Sequence, residues 1–190
     1  MPLFTIAEIV DMILMTAIVG YIFSDMLRKP ATRDYDPLKE YGTSLNLQNF
    51  WFAASVTVPA ILFHELGHKF LALSFGMSAT FKAAYMFLLI GLVLKMMNFP
   101  LIFVVPAYVS ILGSGTLLQH ALIAFAGPGV NLFLWLAAKI IAEKKLISKR
   151  HLPFVLLTSK INMFLFIFNM LPIPGFDGNT VLLGLFRYFF

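Results

Sequence analysis

Residues 50–75 read FWFAASVTVPAILFHELGHKFLALSF. The stretch before His64 carries no charge and is mostly apolar, and Gly76 closes the segment. A helix needs about 20 predominantly apolar residues to cross the hydrocarbon core of a bilayer. This segment supplies them, with ionisable groups confined to its second half. Such groups are expensive inside a membrane and tend to be there for function. The rest of the chain agrees with a lipid environment. Of 190 residues, 60% are hydrophobic and 12% charged, whereas a soluble domain is about half apolar and a quarter charged. One soluble core cannot hide that excess, so lipid must solvate most of the molecule.

Moving outward, residues 3–27 form another candidate span, ending at Arg28-Lys29-Pro30. They carry Glu8 and Asp11 and lack a basic start, unlike a cleavable signal peptide. Residues 28–48 are the most polar stretch and read as an exposed loop. On the other side, 77–115 resists a single reading. MSATFKAAYMF suits a strand or a helix entry, and the apolar runs 84–97 and 101–112 are each short for a crossing. Asn98, Pro100, Pro106 and Gly113-Ser114-Gly115 interrupt them. Irregular backbone at membrane depth must be buried in protein or line a wet cavity, so a re-entrant hairpin or a pair of short segments is expected. Residues 116–142 span again around Gly127-Pro128. The basic loop 143–151 marks a cytoplasmic side. Residues 152–171 form a further span, broken by Pro172 to Gly178. The run 179–190 reads as a partial or truncated last helix.

The expected fold is an all-α polytopic membrane protein of about five to six transmembrane segments. It carries a small membrane-associated strand or re-entrant element in 77–115. Residues 1–190 form a single transmembrane domain, multi-pass in the cell membrane, and no region is polar enough for a separate soluble module. The chain has no cysteine, which excludes disulfides and thiolate metal sites. The net charge of +5 sits mostly in loops beside apolar segments, not interleaved with aromatics on a polar face. Nucleic acid is therefore not an expected partner; the lipid bilayer is.

His64-Glu65-Leu66-Gly67-His68 is an H-E-x-x-H motif. On a helix, positions i and i+4 share a face, so both imidazoles can reach one metal ion. Glu65 then stands where it can take a proton from water activated at that metal. A chance match anywhere in this chain, at its own His and Glu frequencies, has a probability of about 0.2%. The plainer reading, two helix histidines bonded to neighbouring groups, has to explain why half of the four histidines fall in this pattern within a span. Zinc fits best, because three protein ligands and one open position make a hydrolytic site. The third ligand must come from elsewhere. Leu71 and Ser74 occupy the positions of a metzincin's later Gly and His, and the sole downstream glutamate, Glu143, lies in the basic loop. Asp177 is the strongest candidate, following Pro172, Pro174 and Gly175, which can unwind a helix end. Its plainer role is an N-cap of the last helix. His120 is the other candidate ligand, with an interhelical hydrogen bond as its plainer role.

HELGH together with Asn169-Met-Leu-Pro172-Ile-Pro174-Gly175-Phe-Asp177-Gly178 resembles the site-2 protease family of intramembrane metalloproteases. That family pairs HExxH on one transmembrane helix with N-x-x-P-x-x-x-x-D-G on a later one. Ala126-Gly127-Pro128-Gly129-Val130-Asn131 is similar to its A-G-P-x-x-N stretch. The likeness runs from about residue 60 to 180. It implies zinc held by His64, His68 and Asp177, with Glu65 as general base. It also implies that Asn169 places substrate or steadies the oxyanion; the plainer role of Asn169, as of Asn131, is a hydrogen bond between helices.

The expected function is therefore intramembrane zinc proteolysis of peptide bonds in transmembrane segments of membrane-protein substrates. The alternative is a non-proteolytic membrane metal-binding or metal-transport protein, against which Glu65 argues, since transport needs a carboxylate there only as another ligand. A strand edge within 77–115 would suit an extended substrate by β-augmentation. Glu8 and Asp11 are expected to face a polar interior or the interface, and Lys95 and Lys160 to snorkel.

Overall fold

The computed structural model describes residues 3–27, 46–99 and 105–189. The polar stretch 28–45 and residues 101–104 of the second short apolar run lie outside them. Helix α1 (Ile6–Phe23) begins with a capping box, in which Thr5 and Glu8 satisfy each other's backbone N–H groups. Helix α2 (Leu47–Ser74) starts at the N-cap Asn46, whose side chain accepts from the N–H groups of Gln48 and Asn49. The expected loop to residue 48 therefore gives way to helix earlier. At its far end Gly76 adopts φ 78°, a left-handed turn that suits a residue without Cβ.

Within 77–99 and 105–115 lies the small strand element expected of this region. Strand β1 (Ser78–Ala83), helix α3 (Tyr85–Met96) and strand β2 (Ala107–Leu112) follow in order. The strands pair antiparallel, with Ser78 opposite Leu112 and Ala83 opposite Ala107. In β1 the buried side chains Ala79, Phe81 and Ala83 alternate with exposed Ser78, Thr80 and Lys82, the period of two that a half-buried strand requires. Helix α4 (Leu117–Glu143) opens with a second capping box, Thr116 with Gln119. Helix α5 (Leu152–Asn169) and helix α6 (Asp177–Phe189) complete the described chain.

Helices α1, α2, α4 and α5 are long and apolar enough to cross a membrane, with 18, 28, 27 and 18 residues. Helices α3 and α6, with 12 and 13 residues, are short of a full crossing at 1.5 Å per residue. Helix α4 is the hub, packing against α2, α5 and α6, while α1 lies on α2 and the sheet. One cluster joins α1, α2, the sheet and α3 through Met15, Val19, Val58, Phe81 and Leu88. A second joins Ala72, Met77, Ala79 and Ile123 near the C-terminal end of α2. Large apolar side chains such as Ile13, Phe133 and Phe164 stay exposed, while His64, His68, Asn131 and Asn162 are buried. Polar groups inside and an apolar exterior are the arrangement lipid solvation favours.

Lys95 finds its partners within the protein. Its ammonium turns onto the C-terminal end of α1, donating to the Tyr21 carbonyl and to Ser24 Oγ (2.8 Å) and pairing with Asp25 (3.0 Å). A cation there complements the negative end of the helix dipole.

Candidate metal centre

His64 and His68 project from one face of α2 with ring centroids 4.8 Å apart. Asp177, the first residue of α6, meets them from the opposite side. Its Oδ2 lies 3.2 Å from His64 Nε2 and 3.3 Å from His68 Nε2, and the two Nε2 atoms are 3.1 Å apart. The two histidines of HExxH and the Asp177 carboxylate thus converge on one point. Among the described residues these three form the group of His, Asp and Glu side chains able to share an ion. His120 lies on the wall of the same cavity but outside that group, so it is not the third ligand of this set.

The approach of Asp177 depends on the broken segment after Asn169. Pro172 and Pro174 cannot continue a helical ladder, and Gly175 takes φ 95°. The α6 N-terminus then turns back against the end of α5. A Cβ on Gly178 would sit 2.3 Å from the Met170 carbonyl carbon and oxygen, so only glycine admits this close return. On the other side Gly127 of α4 faces the imidazoles. A Cβ there would lie 2.3 Å from His68 Nε2 and 2.8 Å from His64 Nε2. The missing side chain leaves room where the ligand atoms meet.

The protonation of both rings follows from their outer partners. His68 Nδ1 is 2.7 Å from the Ile123 carbonyl oxygen, which can only accept. His64 Nδ1 is 2.6 Å from Asn131 Oδ1. The Asn131 amide cannot be flipped, because its Nδ2 donates to the Ala60 carbonyl (3.0 Å) and to Asn162 Oδ1 (2.9 Å). Asn162 is oriented in turn by donating to the Thr158 carbonyl (2.8 Å). Each imidazole, when neutral, therefore carries its proton on Nδ1 and presents its lone pair on Nε2. Two lone pairs and a carboxylate oxygen within 3.3 Å of one another repel unless a positive centre lies among them. Tetrahedral zinc with bonds near 2.0–2.2 Å places its ligands about 3.3–3.5 Å apart, close to the observed edges. The donor set, two imidazoles and one carboxylate with no thiolate, fits zinc with an open fourth position.

His64, His68 and Asp177 line a cavity of about 300 Å³ whose wall also includes Glu65, Tyr108, His120, Asn169 and Thr180. Glu65 is buried, and among the described residues nothing hydrogen-bonds its carboxylate, which leaves it available to a molecule in the cavity. Asn169, the last residue of α5, reaches the same space. Strand β2 forms another wall through Ala107, Val109 and Ile111. Asn131, whose plainer role was a bond between helices, both makes that bond and aims His64. Asn162 escaped the sequence reading, although an amide inside an apolar span is itself a signal of a partner within the bundle.

No protein-family model matches this chain, and no solved structure matches it. It is similar to a protein of Methanocaldococcus jannaschii named as a putative zinc metalloprotease, with 39% identity over 128 residues. The match covers 64% of this chain and 63% of that relative, so the chain spans less than two thirds of the relative's length.

Proposed function

We propose that this chain is an intramembrane zinc endopeptidase of the site-2 protease class, acting on peptide bonds in transmembrane segments of membrane-protein substrates. The observation that carries the reading is the convergence of His64, His68 and Asp177 on one point beside Glu65, whose carboxylate nothing among the described residues hydrogen-bonds, within a bundle of membrane-length helices. The name of the Methanocaldococcus jannaschii relative supports the metalloprotease part of it.

Zinc held by these three residues supplies Lewis acidity for the scissile carbonyl and makes water a competent nucleophile near neutral pH. Glu65 takes the proton of the attacking water and later gives it to the leaving amine. The Asn169 amide, on the same cavity wall, donates to the developing oxyanion. Asn131 and the Ile123 carbonyl hold the two imidazoles in the required tautomer throughout, so the ring positions need no reorganisation during the reaction.

A transmembrane helix hides its peptide bonds in its own ladder, so the substrate must enter extended. The outer edge of β2 favours that. Phe81 and Ala83 of β1 direct their N–H groups away from β2, so the alternation of an antiparallel pair turns the backbone groups of Thr80 and Lys82 towards it. In the observed register, the backbone groups of Ala107, Val109 and Ile111 then point to the other edge, beside the cavity. Among the described residues no strand covers that edge. An added strand would run along the cavity mouth, its backbone held by hydrogen bonds and its side chains still free to vary.

The test is cleavage of a single-span model substrate by purified protein in liposomes, comparing wild type with Glu65→Gln and measuring bound zinc in both. The expected result is wild-type cleavage abolished by a zinc chelator and reduced at least about 100-fold in the variant, with zinc content unchanged. Zinc-loaded wild type that cuts none of several substrates would overturn the reading in favour of metal handling.

A further inference from the structure

The sheet has two edges, and the structure treats them differently. The outer edge of β1 is occupied by carboxylates of α1. Glu8 Oε1 accepts from the Phe81 N–H at 2.7 Å, and Asp11 Oδ2 accepts from the Ala83 N–H at 3.1 Å. Successive outward N–H groups of an antiparallel strand lie two residues apart, and Glu8 and Asp11, three apart on a helix, share a face. The helix therefore stands in for a partner strand. Both carboxylates are themselves held. Glu8 is 2% exposed and pairs with the Lys69 ammonium. It also accepts from the Thr5 N–H at 2.8 Å through the capping box. Asp11 also accepts from the Tyr85 hydroxyl at the start of α3. Lys69, 1% exposed, directly follows His68 and lies 4.6 Å from the centre of the Phe4 ring. Burying a lysine and a glutamate is costly unless they are paired; here they pair with each other, the ammonium also lies over the Phe4 ring, and Glu8 also accepts from two backbone N–H groups.

We infer that Glu8 and Asp11 are positioning residues that close the β1 edge, so that an extended substrate is admitted only along β2, and that Lys69 locks this arrangement to the metal-bearing turn of α2. The inference rests on the proteolytic reading proposed above. Its physical basis is that an open edge strand recruits whatever extended chain comes near. A substrate added to β1 would lie a full strand further from the cavity wall formed by β2, about 5 Å per strand. Such binding would be non-productive and would compete with cleavage. Glu8 and Asp11 remove the competing site, and the ion pair keeps the remaining edge at a set distance from His68.

The absence of cysteine from the chain makes a crosslinking test clean. Tyr108→Cys reports on the β2 edge and Thr80→Cys on the β1 edge, both exposed positions. Each is combined with a model substrate carrying one cysteine near its cleavage site, in an otherwise wild-type background and in Asp11→Leu and Glu8→Met/Asp11→Leu backgrounds. The expected result is crosslinking through Tyr108→Cys alone in wild type. Crosslinks through Thr80→Cys should appear once the carboxylates are removed, and KM should rise several-fold more than kcat falls. Amide exchange in the substrate-free protein gives a second measurement that needs no activity: the Phe81 and Ala83 N–H groups should be protected in wild type and lose protection in the variants. Asp11→Asn, which keeps an acceptor, should behave as wild type; a defect equal to that of Asp11→Leu would overturn the inference.

Wild-type crosslinks through Thr80→Cys would also overturn it, as would cleavage with an unchanged crosslinking pattern in the double variant. Fast exchange at Phe81 and Ala83 in wild type would overturn the edge closure itself, whatever the activity. Protected amides in a wild type that neither cuts nor crosslinks substrate would instead sink the proteolytic reading, and the admission role with it, while leaving the closed edge standing.

Discussion

Replacing Asn131 by alanine tests the inner support of the metal centre. Asn131 is 0% exposed, and its amide accepts from His64 Nδ1 at 2.6 Å while donating to the Ala60 carbonyl and Asn162 Oδ1. With a methyl group in its place, the His64 ring N–H and the Asn162 amide oxygen lose their partners in a buried setting. Each such group costs about 1–3 kcal/mol, so the zinc-free protein should lose about 2–6 kcal/mol of stability. The His64 ring also loses what fixes its tautomer and rotation, a kind of outer support whose removal lowers metal affinity about 10–100-fold. That corresponds to about 1.4–2.7 kcal/mol. Zinc affinity would be measured by competition with a chromophoric chelator, and stability by thermal unfolding in detergent with and without excess zinc. Because a ligand stabilises in proportion to the logarithm of its concentration over Kd, the gap between wild type and variant should widen by the same 1.4–2.7 kcal/mol when zinc is saturating. Asn131→Asp should not rescue, since a carboxylate keeps the acceptor for His64 but offers no donor to the other two oxygens. An Asn131→Ala protein that binds zinc within about twofold of wild type would refute the idea that this amide sets the ligand.

Further outcomes follow from the same geometry. Asp177→Ala removes one of three ligand atoms and should weaken zinc by more than about 100-fold, beyond the loss of an outer support; near-stoichiometric zinc at wild-type affinity would reassign the third ligand. Gly127→Ala places a Cβ 2.3 Å from His68 Nε2 and should abolish zinc retention, while Gly129→Ala, whose nearest neighbour is Phe125 at 3.4 Å, should retain it; zinc analysis of the two purified proteins decides. Glu8→Met strands the Lys69 ammonium and should cost about 3–5 kcal/mol, much of it recovered in Glu8→Met/Lys69→Met. Unfolding by denaturing detergent would read the cycle, and a double variant no more stable than Glu8→Met would mean that the lysine is satisfied elsewhere.

Much of the site was legible before any fold was known because its residues are chemically conspicuous where they occur. His64, Glu65 and His68 lie within five consecutive residues, the two histidines on one helical face, so their mutual geometry is local and the spacing alone specifies it. The segment from Asn169 to Gly178 was legible as a helix break, since proline and glycine act on their own backbone. The helix lengths followed from apolar runs, and the bundle of membrane-length helices agrees with them. The β1 strand was half visible: Ser78, Thr80 and Lys82 alternate with apolar residues, but six residues are too few to decide the period against a helix entry. Strand β2 carries no such alternation in its sequence or its burial.

What the chain order could not determine was which polar side chains meet. The sequence by itself set a membrane-embedded bundle, an HExxH helix and a carboxylate poised at a later helix break, because each of these depends on interactions within about ten residues. The tertiary structure brought Asp177, already the strongest candidate, onto the two imidazoles, and it alone decided that Asn131 and Asn162 fix the tautomer of His64 and that Glu8 reaches Lys69 and Phe81. Those contacts join residues separated by 31 to 113 positions, and in a bundle of apolar helices the rotation of one helix against the next is selected by packing at small residues such as Gly127 and Gly178 and by buried polar contacts of this kind.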